Sequence, residues 1–292
     1  MKTEELVSKI NKGELDVRFA ELYGEPFVSE QRKRYIDAIN DFSELFGNDR
    51  DVRLFSVPGR SEISGNHTDH NRGCVIAAAV NLDIIAVASA NDKDTVTVKS
   101  KGFPADTVSC FPDSPEKALF YTSGSLLSGI CAGFLKRGYK VHGYDAYTTS
   151  DVLKGSGISS SAAFEVMVGT IMNYLYNDNV ISAPEIAQIA QFSENVYFGK
   201  PSGLMDQTAC AVGGFSFIDF ENAEAAKIEK LDFDLSSAGY SLCITNTGGN
   251  HADLNEDYAS VPAEMKAVAA EFGRPVLRGL TKAELISRAS SL

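Results

Sequence analysis

Residues 74–90 read CVIAAAVNLDIIAVASA, and any fold of this chain has to bury this apolar run. Valine, isoleucine and alanine dominate it, and Asn81 and Asp83 interrupt it near its middle. Such a run predicts either two adjacent buried strands or one long bent strand. It is shorter than the ~20 apolar residues that a membrane-spanning helix needs. The run therefore belongs in the core of a soluble protein.

Helical and strand-like patterns both flank this run. Residues 29–46 place apolar side chains at helical spacing after Ser29, and Gly47 and Asn48 can end that helix. Further helices are predicted at 115–136, 160–176 and 183–198, and strands at 51–57, 95–99, 139–149, 215–219 and 239–246. The mixture, without an internal repeat, predicts an α+β fold. No linker rich in Pro, Gly or Ser divides the chain, and we place a domain boundary near residue 200.

Charge and cysteine content exclude several classes of partner. The net charge is −12, which argues against nucleic acid and against an anionic membrane surface, because both attract clustered Lys and Arg. It does not exclude ATP, whose phosphates are held by local backbone N–H groups and a cation. Five cysteines, an odd number, predict free thiols in a reducing compartment. The charged N-terminus lacks an apolar signal segment, so we expect a cytoplasmic protein.

Residues 154–163 read KGSGISSSAA and stand between a predicted strand and a predicted helix. We call this segment the phosphate loop. Gly155 and Gly157 allow the backbone to approach phosphate oxygens, and the following helix N-terminus offers unpaired N–H donors. The serines at 159–161 add hydroxyls. The pattern is neither a P-loop nor a Rossmann fingerprint, and a Ser-rich helix cap is the alternative at this point.

A polar block at residues 57–73, VPGRSEISGNHTDHNRG, interrupts the predicted strands. Its density of Arg, Asn, His and Asp suggests a binding site built on a loop. Arg60 follows Pro-Gly and presents a permanently charged fork, while His67 and Asp69 suit adjacent sugar hydroxyls. A solvated loop, or metal ligation by His67, Asp69 and His70, are the alternatives.

Two acids follow in residues 191–214, QFSENVYFGKPSGLMDQTACAVGG. Glu194 is predicted on a helix that stops before Pro201, and Asp206 comes after that break. Phosphoryl transfer from ATP needs a cation near the β- and γ-phosphates and a carboxylate near the attacking hydroxyl. Glu194 and Asp206 suit these two roles, although two acids twelve residues apart are more often solvated surface.

Together these segments resemble the galactokinases, whose superfamily also includes homoserine, mevalonate and phosphomevalonate kinases. The family pattern PGRVNLIGEHTDYNGG is met by Pro58-Gly59-Arg60, Gly65, His67-Thr68-Asp69, Asn71 and Gly73. Its GGGLSSSA is met by residues 155–162, and its Glu helix followed by GIMDQ is met by Glu194 and residues 203–207. LYGE at 22–25 and QRKRY at 31–35 extend the likeness.

The resemblance implies a GHMP kinase fold. Residues 1–200 would form an N-terminal domain like domain 2 of ribosomal protein S5, and residues 201–292 an incomplete ferredoxin-like C-terminal domain. It implies ATP- and Mg²⁺-dependent phosphorylation of the anomeric hydroxyl of galactose or a close relative. It also implies a monomer or weak homodimer with no nucleic-acid or membrane partner.

The resemblance also assigns roles to residues. Asp206 and Arg60 would be catalytic, with Asp206 acting on the anomeric hydroxyl and Arg60 stabilising the charge around it. Ser161 and Glu194 would ligate Mg²⁺. The sugar would contact Asn66, His67, Asp69, Gly203 and Tyr258. The nucleotide would contact Gly155, Ser156, Gly157, Ile158, Ser159, Ser160, Ser161 and Ala162.

The chain departs from the family pattern in two respects. Asn66 stands where the family has a Glu that accepts a hydrogen bond from a primary hydroxyl, and Ser61, Glu62 and His70 also differ. The chain ends at Leu292 without the family's C-terminal GxGFGG motif, so we expect a truncated portion with impaired activity. The alternatives are a non-catalytic sugar and nucleotide sensor, or a related kinase acting on an isoprenoid or an amino acid.

Overall fold

The computed structural model describes residues 1–152, 157–222, 225–245 and 255–288, and for 255–259 it describes the backbone only. The apolar run forms one long strand, as one of the two sequence interpretations has it. The described strands are β1 (Arg53–Ser64), β2 (Cys74–Ala90), β3 (Thr95–Ser100), β4 (Ala105–Ser109), β5 (Tyr144–Ser150), β6 (Phe215–Asp219) and β7 (Lys227–Leu231).

The described strands form one sheet in which β2 is the hub. The strands lie in the order β4-β3-β5-β2-β6-β7, and β1 pairs with β2 outside this path. β1 runs antiparallel along most of β2, from the pair Arg53 and Ala88 to the pair Ser64 and Ile76. The two ends of β2 have different second partners, since residues 84–90 pair with β5 and residues 74–78 with β6. β3 and β5 are parallel, and the other described pairs are antiparallel.

Helices cover both faces of the sheet. The described α-helices are α1 (Thr3–Asn11), α2 (Asp16–Tyr23), α3 (Val28–Phe46), α4 (Ser123–Lys136), α5 (Ser160–Tyr176), α6 (Ala183–Phe192), α7 (Met205–Val212), α8 (Asn255–Glu271) and α9 (Lys282–Arg288). Ile84, Ala86 and Ala88 of β2 pack with α4, α5 and α6, whereas Ile85 and Val87 pack with α1, α2 and α3. Because successive residues of a strand point to opposite faces, a strand covered on both faces has to be apolar throughout.

Several predicted elements are confirmed, and others are shorter than predicted. The helices at 29–46 and 160–176 and the strands at 95–99 and 215–219 are confirmed within one residue. The helix predicted from 115 begins at Ser123, because the Thr122 hydroxyl accepts a hydrogen bond from Ser125 N at 3.2 Å and caps it. The strand predicted from 139 begins at Tyr144, where pairing with β2 and β3 begins.

The helix predicted at 183–198 changes its hydrogen bonding part-way. α6 ends at Phe192, and a π-helical turn continues from Ser193 to Phe198. Gly199 then ends the turn with φ of 85°, a backbone conformation that glycine adopts without strain. A π turn rotates the side chains that follow it relative to an α-helix, and such turns are frequent at functional sites.

Two sequence interpretations are wrong in part. The polar block at 57–73 is not all loop, since β1 continues to Ser64 and leaves only residues 65–73 as the loop. The strand predicted at 239–246 is absent from residues 240–245, whose side chains are exposed and which pair with no described strand, and residue 246 lies outside the described residues. A strand needs a neighbouring strand to pair its backbone N–H and C=O groups, and among the described residues Tyr240 N donates instead to the Leu235 carbonyl in the preceding turn, at 2.8 Å.

The C-terminal part contacts the loop that precedes β2 and the end of β6. Asn71 donates a side-chain hydrogen bond to Met265 Sδ at 2.7 Å and accepts one from Leu277 N at 3.1 Å. Arg278 donates to both carboxylate oxygens of Asp219 in β6, at 2.5 and 3.2 Å. These contacts fix residues 65–73 from the outside. The domain boundary near residue 200 stays a prediction, and no described helix is long and apolar enough to cross a membrane.

Candidate active site

The loop at residues 65–73, called the sugar loop here, turns sharply between β1 and β2. Asn66 and His67 both have left-handed backbone angles, with φ of 52° and 55°. Glu62 in β1 supports the turn, because its carboxylate accepts the backbone N–H of His67 at 3.0 and 3.1 Å. A short 3₁₀ turn at Thr68–Asn71 follows and directs Asp69 inward.

Asp69 joins the sugar loop to the start of α7. Its side chain is only 3% exposed, and its Oδ2 accepts a hydrogen bond from Met205 N at 3.3 Å. Burial raises the pKa of Asp69 above its usual range, although the nearby His70 and His67 and the Met205 N–H act in the opposite direction. His67 Nδ1 lies 3.9 Å from Asp69 Oδ1, so the two predicted sugar-contacting side chains are neighbours.

Arg60 in β1 and Asp206 in α7 are in direct contact. Arg60 donates from Nε and Nη2 to the same oxygen, Asp206 Oδ1, at 2.8 and 2.6 Å. Its Nη1 donates to the Gly157 carbonyl at 2.8 Å, and its backbone N donates to the Ile158 carbonyl at 3.1 Å. Arg60 is therefore held by both Asp206 and the phosphate loop.

Asp206 is kept ionised by its neighbours. It lies in the first turn of α7, and its side chain is 29% exposed. Desolvation would raise its pKa, but the charge of Arg60 and hydrogen bonds from Ser159 and Arg60 outweigh it and lower the pKa below the usual range. The Ser159 hydroxyl donates to Asp206 Oδ2. A carboxylate in this state is available as a proton acceptor at neutral pH.

The phosphate loop leads directly into α5. Ser159 occupies the N-cap position with φ of 61°, and α5 begins at Ser160. Ile158 and Ala162 are 5% and 1% exposed and pack into the core, so only their backbones could face a nucleotide. Gly157, Ser160 and Ser161 lie at the helix N-terminus, where backbone N–H groups attract anions. Gly155 and Ser156 lie outside the described residues.

Glu194 and Ser161 bring two hard oxygens together. Ser161 Oγ donates to Glu194 Oε1 at 3.3 Å, and Glu194 is 2% exposed. Mg²⁺ prefers oxygen ligands and usually takes one or two from the protein, with phosphate and water completing its octahedron. This pair fits that requirement. Within the described part of the chain no group of three or more His, Cys, Asp or Glu could hold a metal by itself.

Three polar residues at Glu194 were not predicted. Lys200 Nζ donates to Glu194 Oε1 at 3.0 Å, and Gln207 Nε2 donates to Glu194 Oε2 at 2.8 Å. Gln207 Nε2 also lies 3.2 Å from Glu165 Oε2, and Glu165 is fully buried. Burial, and then the charge of Glu194, raise the pKa of Glu165 well above its usual range. A lone acid in the apolar helix FEVMVG was the available signal for Glu165, whereas Lys200 carried none.

Asn66 and Tyr258 are the other two predicted sugar contacts. Asn66 is exposed, at the tip of the sugar loop. Tyr258 lies near the start of α8, and its side chain is outside the described residues. The remaining predicted side chains of the sugar loop and α7 converge around Asp69 and Asp206.

Comparisons with known proteins match these same segments. The family model described as the galactokinase galactose-binding signature matches residues 40–90, and the one described as the GHMP kinases N terminal domain matches residues 125–214. The galactokinase of Streptomyces coelicolor is 32% identical over 252 residues, which are 84% of this chain and 62% of that protein. The galactokinase of Lactococcus lactis subsp. lactis is 30% identical over 227 residues, 77% of this chain and 56% of that protein. The chain is a homologue of the galactokinases along most of its length, and its residues 125–214 match the GHMP kinases.

Solved structures agree on the fold. The crystal structure of Lactococcus lactis galactokinase complexed with galactose superposes with a TM-score of 0.69 at 22% identity, covering 86% of this chain and 66% of that one. The mevalonate kinase of Methanococcus jannaschii superposes with a TM-score of 0.54 at 14% identity, covering 76% of this chain and 72% of that one. The predicted α+β GHMP kinase fold is therefore confirmed. The chain spans about three fifths of the length of the curated galactokinases that it matches.

Proposed function

We propose that the chain is the N-terminal portion of a kinase that transfers the γ-phosphoryl group of ATP to the anomeric hydroxyl of galactose or a close relative, with Mg²⁺. The observation that carries the proposal is the contact between Arg60 and Asp206 beside the phosphate loop. A carboxylate held ionised next to a phosphate-binding helix N-terminus is what an attacking hydroxyl requires. The name of the galactokinase relatives supports galactose as the sugar, whereas the choice of the anomeric hydroxyl comes from the family resemblance of the sequence motifs.

Each part of the site has a function in this proposal. The backbone N–H groups at Gly157 and at the start of α5 bind the nucleotide phosphates. Asp69 accepts hydrogen bonds from sugar hydroxyls, His67 forms a further hydrogen bond with them, and together the two side chains fix the position of the ring. The cation that Ser161 and Glu194 would hold supplies charge neutralisation of the β- and γ-phosphates when it is bound.

Asp206 accepts the proton of the anomeric hydroxyl while the oxygen of that hydroxyl bonds to the γ-phosphorus. The bond between the γ-phosphorus and the bridging oxygen breaks, and ADP leaves with that oxygen. Arg60 keeps Asp206 ionised before the transfer and offers its charge to the developing phosphoryl group. Positioning and charge stabilisation therefore account for most of the acceleration.

The test uses the full-length gene product that contains this chain. ADP release is measured against a panel of hexoses, with and without Mg²⁺, and the sugar product is analysed by ³¹P NMR. We expect turnover with galactose or one close relative, a sugar 1-phosphate as product, and no turnover without the cation. Absence of turnover with every hexose would overturn the proposal.

We also propose, from the resemblance, that residues 1–200 and 201–292 belong to different domains.

A further inference from the structure

Both carboxylate oxygens of Glu194 are already engaged by the protein. Oε2 accepts a hydrogen bond from Gln207 Nε2 at 2.8 Å. Oε1 faces Ser161 Oγ at 3.3 Å and forms an ion pair with Lys200 Nζ at 3.0 Å. The ammonium of Lys200 therefore occupies the oxygen that, together with the Ser161 hydroxyl, would face a divalent cation.

Lys200 is built into this position by the local backbone. Gly199 ends the π-helical turn, and Lys200 N then donates to the Glu194 carbonyl at 3.1 Å, so the chain doubles back towards Glu194. The carboxylates of Glu165 and Asp206 also attract the ammonium. The Lys200 side chain nevertheless keeps 41% of its surface exposed, whereas Glu194 is almost fully buried. The ammonium can therefore leave Glu194 without unpacking the core.

A divalent cation and an ammonium repel each other strongly when both lie within contact distance of one carboxylate oxygen. A metal that binds Glu194 Oε1 has to displace Lys200. Without a nucleotide the displaced ammonium of Lys200 loses its ion pair with Glu194 and gains no new anionic partner in exchange. With a nucleotide, the polyphosphate supplies a new anionic partner at the neighbouring helix N-terminus.

We infer that Lys200 competes with the divalent cation for Glu194, so that the metal binds tightly only together with a nucleotide. This inference rests on the proposed function, because it takes Ser161 and Glu194 as the metal-binding pair. It assigns to Lys200 a role in the order of binding, which a surface lysine would not have. Lys200 acts through Glu194 and is a positioning residue in this sense.

The experiment measures Mn²⁺ binding by electron paramagnetic resonance in the full-length gene product, without nucleotide and without turnover. Lys200→Met removes the charge and keeps much of the side-chain length. We expect it to bind Mn²⁺ about tenfold more tightly than the wild type, since it removes a competing ion pair. Lys200→Arg keeps the charge and should resemble the wild type. Lys93→Met, at an exposed lysine distant in sequence from Lys200, is the matched control and should leave the Mn²⁺ affinity unchanged.

Two further measurements make the result decisive. In Glu194→Gln/Lys200→Met the gained affinity should be lost, which shows that the gained affinity belongs to the site at Glu194. With a non-hydrolysable ATP analogue present, the difference between wild type and Lys200→Met should shrink or reverse. Lys200→Gln replaces Lys200→Met if the latter lowers the Tm.

Equal Mn²⁺ affinity of wild type and the neutral variants, within about twofold, would overturn the inference, because removal of a competitor has to raise affinity. Absence of Mn²⁺ binding in every variant would overturn it as well. Failure of the proposed function is a different result, namely no phosphorylation of any hexose. Metal binding is measured independently of that outcome.

Discussion

The α carbon of Gly203 lies against the carboxylate of Asp69, so closely that a β carbon at Gly203 would stand 1.8 Å from Asp69 Oδ2. Real β carbons do not approach an oxygen to this distance. The absence of a side chain at Gly203 is what allows the sugar loop and the start of α7 to meet. The sugar loop and the segment before α7 can therefore be in contact only because residue 203 has no β carbon.

Gly203→Ala should separate these segments. The added methyl group must push Asp69 away, and overpacking of this kind costs about 1–3 kcal/mol of the free energy of unfolding. Because Asp69 is a proposed sugar contact, the KM for sugar should rise more than kcat falls. Gly124→Ala is the control, since its β carbon would find its nearest neighbour at 3.6 Å. Steady-state kinetics and thermal unfolding of the full-length protein test this, and an unchanged KM contradicts it.

Asp206→Asn should abolish turnover while sugar still binds. The amide cannot accept the proton of the hydroxyl, and loss of a general base reduces the rate by about 10²–10⁴. The sugar contacts at Asp69 and His67 are left in place. Asp178→Asn, at an exposed turn position, is the matched control. Calorimetric sugar binding and ADP release measure the two effects, and turnover within about tenfold of wild type would refute the role of Asp206.

Asn66 has φ of 52°, a left-handed conformation that asparagine adopts more readily than most residues. Asn66→Glu should bind galactose more tightly, if galactose is the substrate, because a carboxylate accepts a stronger hydrogen bond than an amide. It should unfold at a lower temperature, because glutamate adopts this backbone conformation less readily. Asn66→Gln has the same length and the same backbone penalty without the charge. The difference in affinity between the two variants reports the charged hydrogen bond, expected to be about 1 kcal/mol. Weaker galactose binding together with turnover of another sugar would indicate a change of specificity.

Glu165→Gln should change how stability depends on pH. The folded protein raises the pKa of Glu165, so this side chain stabilises the fold fully below its unfolded pKa of about 4.3 and loses that contribution as the pH rises. The variant should therefore be more stable than wild type at pH 8, and the difference should diminish towards about pH 4. Chemical denaturation across this range measures it, with Glu44→Gln as an exposed control. A difference independent of pH would contradict the prediction.

The sequence predicted the segments of the site better than their contacts. Arg60, Glu194 and Asp206 were each selected from residue type and neighbouring pattern, and the resemblance gave them roles. The structure brings Arg60 to Asp206 across 146 residues. That pairing depends on β1 crossing beside α7, which no local pattern contains. Their roles in catalysis and metal binding stay predictions.

Lys200 and the π-helical turn show what the sequence could not reveal. A lysine before a proline is ordinarily a solvated loop residue, and only the turn of the chain at Gly199 places it on Glu194. The apolar run at 74–90 was predictable because burial on both faces of a strand leaves a continuous signal. The strand predicted at 239–246 carries a similar but shorter signal, and the described residues offer it no neighbouring strand to pair with.

Arg278→Met should loosen the C-terminal part from the sheet. The guanidinium of Arg278 holds the pKa of Asp219 at about 2, because it donates hydrogen bonds to that carboxylate. Since the folded pKa is lowered, the ion pair stabilises the fold above the unfolded pKa of about 4 and loses this effect as the pH falls towards 2. The Tm of Arg278→Met should therefore lie below that of wild type at pH 7 and approach it in acid. Asp219→Asn should have the same effect, and the double variant should add little to either single change. Additive losses would show that the two side chains act separately.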